Sequence, residues 1–300
     1  MLERQSAEPV TEFARYLKES GFSLATIKNY LSDTRHFASW LAHARIRSLL
    51  ECTGEDIRGY CLELVTAKPH PPATVNRHLQ SIRKFYRYAL ESGLMEENPS
   101  LGIKLLPQPR SQVVRGLNQL EIERFLDAVR QGSPRLVKRD YAIVQLMLQT
   151  GIRVGELTRL KLSDVSLLEE KGVLKIRGQG SSRDREIPLN TSVRKAINAY
   201  LEERSRSSSD HLFLSRKGDP LSVRSVQTLV SGYARAAGVE NVSTYTLRHT
   251  HGQHLLKDTG DLSVVARLLG HKRLETAIKY ILPRQEDLTE VAERSSLNIY

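Results

Sequence analysis

Three short stretches near the end of the chain carry its strongest signal: YTLRH at residues 245–249, LLGH at 268–271 and TAIKY at 276–280. A fourth stretch, TGIRVGEL, lies far upstream at residues 150–157. The spacing of apolar residues predicts that most of this part of the chain is helical. The fold must therefore bring together side chains that are far apart in sequence but lie on or beside helices.

The four stretches contain the groups needed to attack a phosphodiester without a metal. Arg153 and Arg248 have planar guanidinium groups that can hold two phosphate oxygens and offset the charge that builds on them. The hydroxyl of Tyr280 can form a covalent bond to phosphorus, and His271 can position or accept a proton. These residue types point to nucleophilic chemistry on a phosphate ester.

Composition and charge narrow the class of protein. Of the 300 residues, 40% are hydrophobic and 26% are charged, as in a folded globular protein, and the net charge is +11. The excess is uneven, with 14 Lys+Arg against 12 Asp+Glu in residues 1–107 and 31 against 22 in residues 108–300. A basic surface favours a polyanionic partner such as nucleic acid, and the second part of the chain is the more basic.

Other features argue against a secreted or membrane protein. The two cysteines, Cys52 and Cys61, cannot form a disulfide framework. The N-terminal sequence MLERQSAEPV has no apolar core of a signal peptide, and no run of about 18 apolar residues could span a membrane. We therefore expect a cytoplasmic protein without a membrane partner.

The first hundred residues are predicted to form four helices, because apolar residues recur at helical spacing. Their limits follow from residues that start or stop helices: Pro9 and Gly21 for the first, Ser23 for the second, Thr53 with Asp56 for the third, and Pro72 and Gly93 for the fourth.

Basic and amide side chains occupy the polar faces of the second and fourth predicted helices. Such a face is either solvated or in contact with DNA phosphates, and the sequence leaves both open. The candidate DNA-binding residues are Lys28, Asn29, Arg35, Asn76, Arg77, Gln80, Arg83 and Lys84.

A domain boundary is predicted where Pro107 and Pro109 interrupt the helical pattern, because closely spaced prolines favour an extended segment. This gives an N-terminal domain over residues 1–106, a linker over 107–113 and a second domain over 114–300. Asn118, with Glu121 three residues later, predicts the next helix start. Short strands are predicted at 173–177, 185–189 and 211–215. The fold class is therefore mainly α with a small β-sheet.

In order and spacing, the four stretches resemble those of the tyrosine recombinases of the phage-integrase family, and the length and layout of the chain are similar to the simple Xer-type members. The resemblance covers nearly the whole chain. It implies an N-terminal four-helix SAM-like core-binding domain and a C-terminal mixed α/β catalytic domain, which clamp DNA in a C shape. It also implies a C-terminal helix at about 285–297 that docks on a neighbouring protomer.

The resemblance assigns roles to the residues that match the family's motifs. Tyr280 is the expected nucleophile, which becomes a 3′-phosphotyrosine. Arg153 and Arg248 are expected to clamp the scissile phosphate. His271 is expected to hydrogen-bond the phosphate or assist the nucleophile, and Glu156 to orient an arginine or histidine.

Two positions depart from the family's pattern. Gln179 stands where the family usually has a lysine that protonates the leaving oxygen, and an amide cannot deliver a proton. Lys175, on the same hairpin, is a possible substitute acid. The hairpin also has arginines that could reach the site but are poor acids because they stay protonated: Arg177, Arg183 and Arg185. Tyr245 replaces the usual histidine and still offers a hydrogen-bond donor.

Three histidines, His249, His251 and His254, lie close together in sequence without predicting a metal site. On a helix, the first two point to different faces, and only His251 and His254 are neighbours. No cysteine ligand lies nearby in sequence. Phosphotyrosine chemistry needs no metal, so we expect neither a metal nor another cofactor.

The predicted function is site-specific DNA recombination through a 3′-phosphotyrosine and a Holliday junction, without metal or ATP. The expected partners are double-stranded DNA with a recombination site and other protomers, as a homo-tetramer on paired sites or with a second, different recombinase. Two alternatives remain at this point. One is a sequence-specific DNA-binding protein impaired in cleavage, and the other is a type IB topoisomerase.

Overall fold

The computed structural model describes residues 2–45, 47–67, 69–108, 115–168, 171–178, 184–204 and 207–270, with side chains from residue 8 onward. The chain divides into two compact units, Met1–Gln112 and Val113–Tyr300. Each unit has its own hydrophobic core.

The first unit contains four α-helices among its described residues, as the sequence predicted. They are α1 (Leu2–Glu19), α2 (Leu24–Trp40), α3 (Gly54–Thr66) and α4 (Pro72–Glu91). A π-helical segment at Leu41–Arg45 extends α2.

Local capping chemistry explains where the helices of the first unit begin. The Ser23 side chain accepts a hydrogen bond from the backbone N–H of Thr26, and Thr53 with Asp56 forms a capping box. Both predicted helix starts are confirmed. The first helix was placed too late, however, because Pro9 lies inside α1. Proline is unfavourable inside a helix, but the turn that precedes Pro9 is helical all the same.

A buried polar network joins α2, α3 and α4. The Asp33 carboxylate is 2% exposed and accepts hydrogen bonds from Arg77 at 2.5 Å and from the Ser81 hydroxyl at 2.7 Å. The buried Tyr60 hydroxyl lies 3.0 Å from His78 Nδ1. A satisfied network of this kind fixes the relative placement of the three helices, because separating them would leave buried polar groups without partners.

The second unit is built around α6 (Val137–Thr150), whose residues from Ala142 to Leu148 are all buried. Asn118 and Glu121 form the predicted capping box at the start of the preceding helix, α5 (Gln119–Arg130). The described helices of this unit are α5 (Gln119–Arg130), α6 (Val137–Thr150), α7 (Val154–Leu157), α8 (Thr191–Glu203), α9 (Val223–Ala236), α10 (Thr244–Thr259) and α11 (Leu262–Leu269).

Three strands form an antiparallel sheet in the second unit: β1 (Val165–Leu167), β2 (Gly172–Ile176) and β3 (Arg185–Leu189), in that order. Ile176 pairs with Arg185, and Lys175 pairs with Glu186. Paired residues share a face and neighbours along a strand alternate, so Arg185 and Lys175 lie on opposite faces of the sheet.

Two of the three predicted strands are confirmed, and the third is wrong. Residues 211–215 do not form a strand, because His211 bridges to Lys161 and Leu214 bridges to Pro220, each as an isolated pair. The third strand is β1, in a part of the chain where no strand was predicted. The described architecture is nevertheless mainly α with a small sheet, as predicted.

Candidate active site

Helix α10 begins at a cap that fixes the position of Arg248. The Ser243 side chain accepts a hydrogen bond from the backbone N–H of Thr246, and the Thr246 hydroxyl accepts one from the backbone N–H of Ser243. Tyr245 and Arg248 are three residues apart and therefore lie on neighbouring positions of the helix surface. Tyr245 is 43% exposed, whereas Arg248 is only 5% exposed.

Arg248 joins two distant parts of the second unit. Its Nη1 donates to the carbonyl of Gly151 at 2.5 Å, and its Nη2 donates to the carbonyl of Leu269 at 2.7 Å. A guanidinium held at two points in a buried position loses little further freedom when it binds a ligand.

Arg153 stands at the N-terminal cap of α7 and has a more open position, with its side chain 41% exposed. Its Nη1 donates to Glu156 Oε1 at 3.1 Å, and its Nη2 donates to the carbonyl of Gly270 at 3.1 Å. A guanidinium has five N–H donors, so these two bonds leave donors for an external ligand.

Glu156 is shared between Arg153 and a third arginine, Arg185, which the sequence analysis named only as a poor acid. Arg185 donates to both carboxylate oxygens, with Nη1 to Oε1 at 2.9 Å and Nη2 to Oε2 at 2.8 Å. The backbone N–H of Arg153 also donates to Oε2 at 2.9 Å. Both side chains of the bidentate pair are largely buried, at 12% and 9% exposure.

The carboxyl group of Glu156 is ionised at all ordinary pH values. Burial works to raise its pKa, but the hydrogen bonds from Arg185 and from the Arg153 backbone, with the charges of both arginines, lower the pKa from 4.5 to about 2. The site therefore contains a fixed negative charge beside several positive ones. The expectation that Glu156 orients an arginine is compatible with these contacts.

Three arginines converge on the C-terminal end of α11, just before His271 in sequence. The last carbonyls of a helix have no partner within the helix, and they form the negative end of its dipole, so guanidinium groups suit them. Each arginine holds a different carbonyl: Arg185 Nε donates to Leu268 at 3.3 Å, Arg248 to Leu269 at 2.7 Å, and Arg153 to Gly270 at 3.1 Å.

Two glycines make this convergence possible. Gly270 has a φ of 65°, and a Cβ there would lie 3.0 Å from the Arg185 guanidinium. Gly151, with a φ of 60°, would bring a Cβ to 2.5 Å from Leu269 Cδ2. Both positions need the backbone freedom of glycine and the space left by its missing side chain. The ends of α6 and α11 can therefore approach closely.

Lys175 is not brought to the three arginines. It lies on the face of β2 opposite Arg185, and its ammonium is 3.7 Å from Glu186 with both side chains more than 60% exposed. Tyr245 remains near the site, stacked on His249 with ring centroids 6.3 Å apart. Three further candidates, Gln179, His271 and Tyr280, lie outside the described residues.

The candidate DNA-binding residues of the first unit fall into two groups. Lys28, Asn29 and Arg35 on α2 are exposed, as is Gln80 on α4. The other four have partners within the unit: Asn76 bonds the backbone of Leu106, Arg77 pairs with Asp33, Arg83 donates to the carbonyl of Ile103, and the Lys84 ammonium lies over the rings of Tyr16 and Phe22.

Gln80, Arg83 and Lys84 also line a basic cleft of about 400 Å³. Arg83 and Lys84 are only partly exposed there, and their internal bonds hold the positive charges at its wall. The cleft keeps these residues as candidates for phosphate contact, while Asn76 and Arg77 have structural bonds to other parts of the unit.

The three histidines of α10 have different surroundings. His249 is buried, His251 is partly exposed and His254 is exposed. Burial lowers the pKa of His251 to about 4, so its ring is neutral at pH 7. Over the described ranges, no group of three His, Cys, Asp or Glu side chains is arranged to hold a metal ion. Nor does any described helix have the length and apolar character needed to cross a membrane.

Comparison with family models identifies two matching regions. Residues 115–286 match the model of the phage integrase family, and residues 10–93 match the phage integrase N-terminal SAM-like domain. The first match includes the segment from 271 to 280, and the second includes all of α2, α3 and α4.

Curated relatives cover the chain almost from end to end. Tyrosine recombinase XerC of Halalkalibacterium halodurans is 33% identical, with 97% of both chains covered. Tyrosine recombinase XerA of Thermococcus kodakarensis is also 33% identical, over 97% of this chain and 96% of the relative. Among solved structures, the Tn1549 transposon integrase in complex with circular intermediate DNA has a TM-score of 0.74 at 16% identity, covering 95% of this chain and 99% of the other.

Proposed function

The chain belongs to the phage integrase family, and from this premise we propose that it is a site-specific recombinase that cuts and rejoins DNA through Tyr280. Relatives at 33% identity over 97% of the chain are tyrosine recombinases, which supports the proposal. A solved structure with a similar fold holds DNA. Both comparisons therefore favour an enzyme that transfers DNA strands.

The observation that carries the proposal is the charge balance at the end of α11. Three guanidinium groups meet there, and Arg153 and Arg185 share the Glu156 carboxylate, so these four groups carry a net charge of about two positive units by formal counting. A phosphodiester brings one negative charge, and a second develops as a nucleophile adds to phosphorus. The site is thus complementary to the transition state more than to the ground state.

Arg153 and Arg248 are assigned to the scissile phosphate. Arg153 is the more accessible of the two, since 41% of its side chain is exposed and it retains N–H donors beyond those that contact Glu156 and Gly270. Arg248 is buried and held by carbonyls of both α6 and α11 residues, which fixes the position of its charge. Together they account for binding and for charge stabilisation.

The covalent step is assigned to Tyr280, and His271 is assigned to assist it. The tyrosine oxygen attacks phosphorus, the bond from phosphorus to the 5′-oxygen breaks, and the proton that the phenol gives up balances the one that the 5′-oxygen gains. The free 5′-hydroxyl of a second duplex then attacks the phosphotyrosine and releases Tyr280. Each step exchanges one phosphate ester for another, so the reaction needs no ATP.

Duplex DNA and further protomers are the proposed partners. Residues 1–106 and 114–300 would act as two DNA-contacting domains joined by the linker at 107–113, with the exposed Lys28, Asn29 and Arg35 facing phosphates. Assembly as a tetramer on paired sites would use a helix at 285–297. An enzyme acting on such DNA is placed in the cytoplasm.

The test is a trapping experiment with full-length protein. The substrates are genomic duplex fragments with random nicks. When cleavage occurs close to a nick, the short piece that carries the free 5′-hydroxyl diffuses away, so the strand cannot be rejoined and the covalent complex accumulates. Complexes that survive denaturation are isolated and their DNA is sequenced, which gives the site and the cleaved strand. We expect adducts at one sequence with the wild type and none with Tyr280→Phe.

A matched control separates the attacking tyrosine from the other tyrosine near the site. Tyr245→Phe removes a hydroxyl on α10 without removing Tyr280, and we expect it to retain adduct formation. Specific binding without any adduct would favour the cleavage-impaired DNA-binding protein. Relaxation of supercoiled DNA without a preferred site would favour the topoisomerase.

A further inference from the structure

Arg185 is a buried charge to which the proposed chemistry assigns no contact with the phosphate. It lies at the start of β3, 12% exposed, and it occupies both oxygens of Glu156. A buried arginine–carboxylate pair is weak support for stability in itself, because desolvating two charges offsets much of their attraction. The pair therefore calls for a reason connected with its neighbours.

The geometry supplies such a reason, because Arg185 and Arg153 compete for the same carboxylate. Arg185 holds Glu156 in a bidentate arrangement at 2.8 and 2.9 Å, whereas the Arg153 guanidinium contacts only Oε1, at 3.1 Å. The bidentate contact is the stronger form of this interaction. Glu156 is therefore neutralised mainly by Arg185, and the charge of Arg153 stays available for another anion.

Arg185 also holds the segment that leads to His271. Its Nε donates to the carbonyl of Leu268, and its guanidinium packs 3.0 Å from the position that a Cβ of Gly270 would occupy. Among the described residues, the buried apolar cluster of α11 has only three members: Val265, Ala266 and Leu269. So small a cluster leaves much of the placement of this helix end to its polar contacts.

We propose that Arg185 is a positioning residue for DNA cleavage, which keeps Glu156 from neutralising Arg153 and anchors the turn before His271. This inference rests on the proposed function. Without Arg185, the Glu156 carboxylate would turn to its remaining partner and pair with Arg153 in a bidentate manner. The phosphate would then meet a neutralised clamp and a less firmly held turn.

The test compares Arg185→Met with a matched variant on the same hairpin. Arg177→Met also removes an arginine–carboxylate pair, because Arg177 Nε donates to Asp164 at 2.9 Å, but that pair does not include Glu156. The rate of adduct formation at Tyr280 is measured on the duplex found by trapping. We expect Arg185→Met to lower it by about 100-fold, in the range seen when a transition-state donor is lost.

Binding and rescue separate positioning from general damage. Specific DNA binding by Arg185→Met should change by less than about threefold, because many other phosphate contacts remain. Arg185→Lys keeps the charge and one bond to Glu156, so it should recover part of the rate. Arg177→Met should cleave within about threefold of the wild type, as expected for a pair with an exposed member.

A double variant gives the sharpest readout. In the proposed mechanism, Arg185 neutralises the Glu156 carboxylate. Introducing Glu156→Gln into Arg185→Met then removes the negative charge that would pair with Arg153. The double variant should cleave at least about fivefold faster than Arg185→Met alone, a coupling of roughly 1 kcal/mol by the relation between rate and free energy. A purely structural pair predicts no such gain.

Hydrogen exchange provides a readout that does not depend on cleavage. In the free protein, amides at the end of α11 should exchange faster in Arg185→Met, while those of α8 should not change. If the wild type forms no adduct with any duplex, the proposed function fails, and unchanged exchange at α11 then overturns the anchoring role as well. If the wild type does cleave, any one of three results would overturn the inference. Arg185→Met could form adducts at the wild-type rate, Arg177→Met could lose as much rate as Arg185→Met, or the double variant could show no gain over Arg185→Met.

Discussion

Replacing Glu156 with glutamine should destabilise the second unit by on the order of 3 kcal/mol at pH 7. The pKa of Glu156 falls from 4.5 to about 2 on folding, so its charged form gains about 2.5 pKa units relative to the neutral form. Each unit corresponds to about 1.4 kcal/mol. Glutamine keeps the size of the side chain and can still accept from the Arg153 backbone, but it lacks the charge that the two arginines surround.

The same pKa sets the pH dependence of this effect. Because folding lowers the pKa, the stabilisation is fully present above pH 4.5 and is lost as the pH falls towards 2. Integration of the proton linkage gives a difference between wild type and Glu156→Gln of about 3 kcal/mol at pH 7 and roughly half of that at pH 3.

The assay must report the second unit alone. The single tryptophan, Trp40, lies in the first unit, so its fluorescence serves as an internal control that should not change. Denaturant-dependent hydrogen exchange of the amides of α6, whose residues from Ala142 to Leu148 are buried, gives the unfolding free energy of the second unit.

Glu186→Gln is the matched control for Glu156→Gln. Glu186 is 64% exposed and lies 3.7 Å from Lys175, so its loss should cost less than about 0.5 kcal/mol. Equal destabilisation by the two variants, or a difference for Glu156→Gln that stays constant from pH 7 to pH 3, would refute the reasoning.

Three further predictions test other contacts of the site and of the first unit. Gly270→Ala should slow cleavage by more than about tenfold, because the φ of 65° is strained for alanine and the added Cβ meets Arg185. Gly260→Ala is the control, since Gly260 has a φ of 64° but open space around it, so alanine there adds only the backbone strain of about 1 kcal/mol. Cleavage assays and thermal melts separate the two effects. Lys175→Ala should leave the cleavage rate within about threefold, and a loss near 100-fold would identify its ammonium as the acid. Arg77→Gln should lower the unfolding free energy of the first unit by about 2 kcal/mol and leave the salt dependence of DNA binding almost unchanged. Arg35→Gln should weaken the salt dependence of DNA binding and leave the unfolding free energy almost unchanged. The same response from both variants would contradict their different surroundings.

Local features of the fold were predictable from the sequence because they depend on neighbouring residues. The helix starts at Ser23, Thr53 and Asn118 follow from side chains that bond an N–H three residues on. The strand at residues 185–189 follows from composition and turn signals. Strand β1 could not be predicted in this way, because its pairing with β2 gives three residues a strand conformation that their own pattern does not specify.

The site was predictable in its residue types but not in its contacts. The resemblance pointed to Arg153, Arg248 and Glu156, which the structure brings together around the end of α11. Arg185 was considered only as a poor acid, because nothing in the sequence links it to Glu156, 29 residues away, or to Leu268, 83 residues away. Such bonds depend on tertiary packing. The signal that could have identified Arg185 is a charged residue, with no partner nearby in sequence, on a strand predicted to lie beside a motif carboxylate.

The bonds of Asn76 and Arg77 show the same limit in the first unit. Both were grouped with DNA-binding residues because they lie on a polar helix face. The structure gives Asn76 two bonds to the backbone of Leu106 and gives Arg77 a buried carboxylate partner in Asp33. A helical pattern identifies the face that is polar, whereas only the fold shows which polar groups are already paired.

The most direct measurement identifies the atom that becomes bound to DNA. The trapped complex is digested with trypsin and nuclease, and the peptide that carries a nucleotide phosphate is sequenced by mass spectrometry. Cleavage after Lys279 and Arg284 releases residues 280–284 as a short peptide, YILPR, which isolates the proposed nucleophile. A phosphonucleotide on Tyr280 is the expected result. A modification on any other residue, or an unmodified peptide from protein bound at its site, would contradict the account.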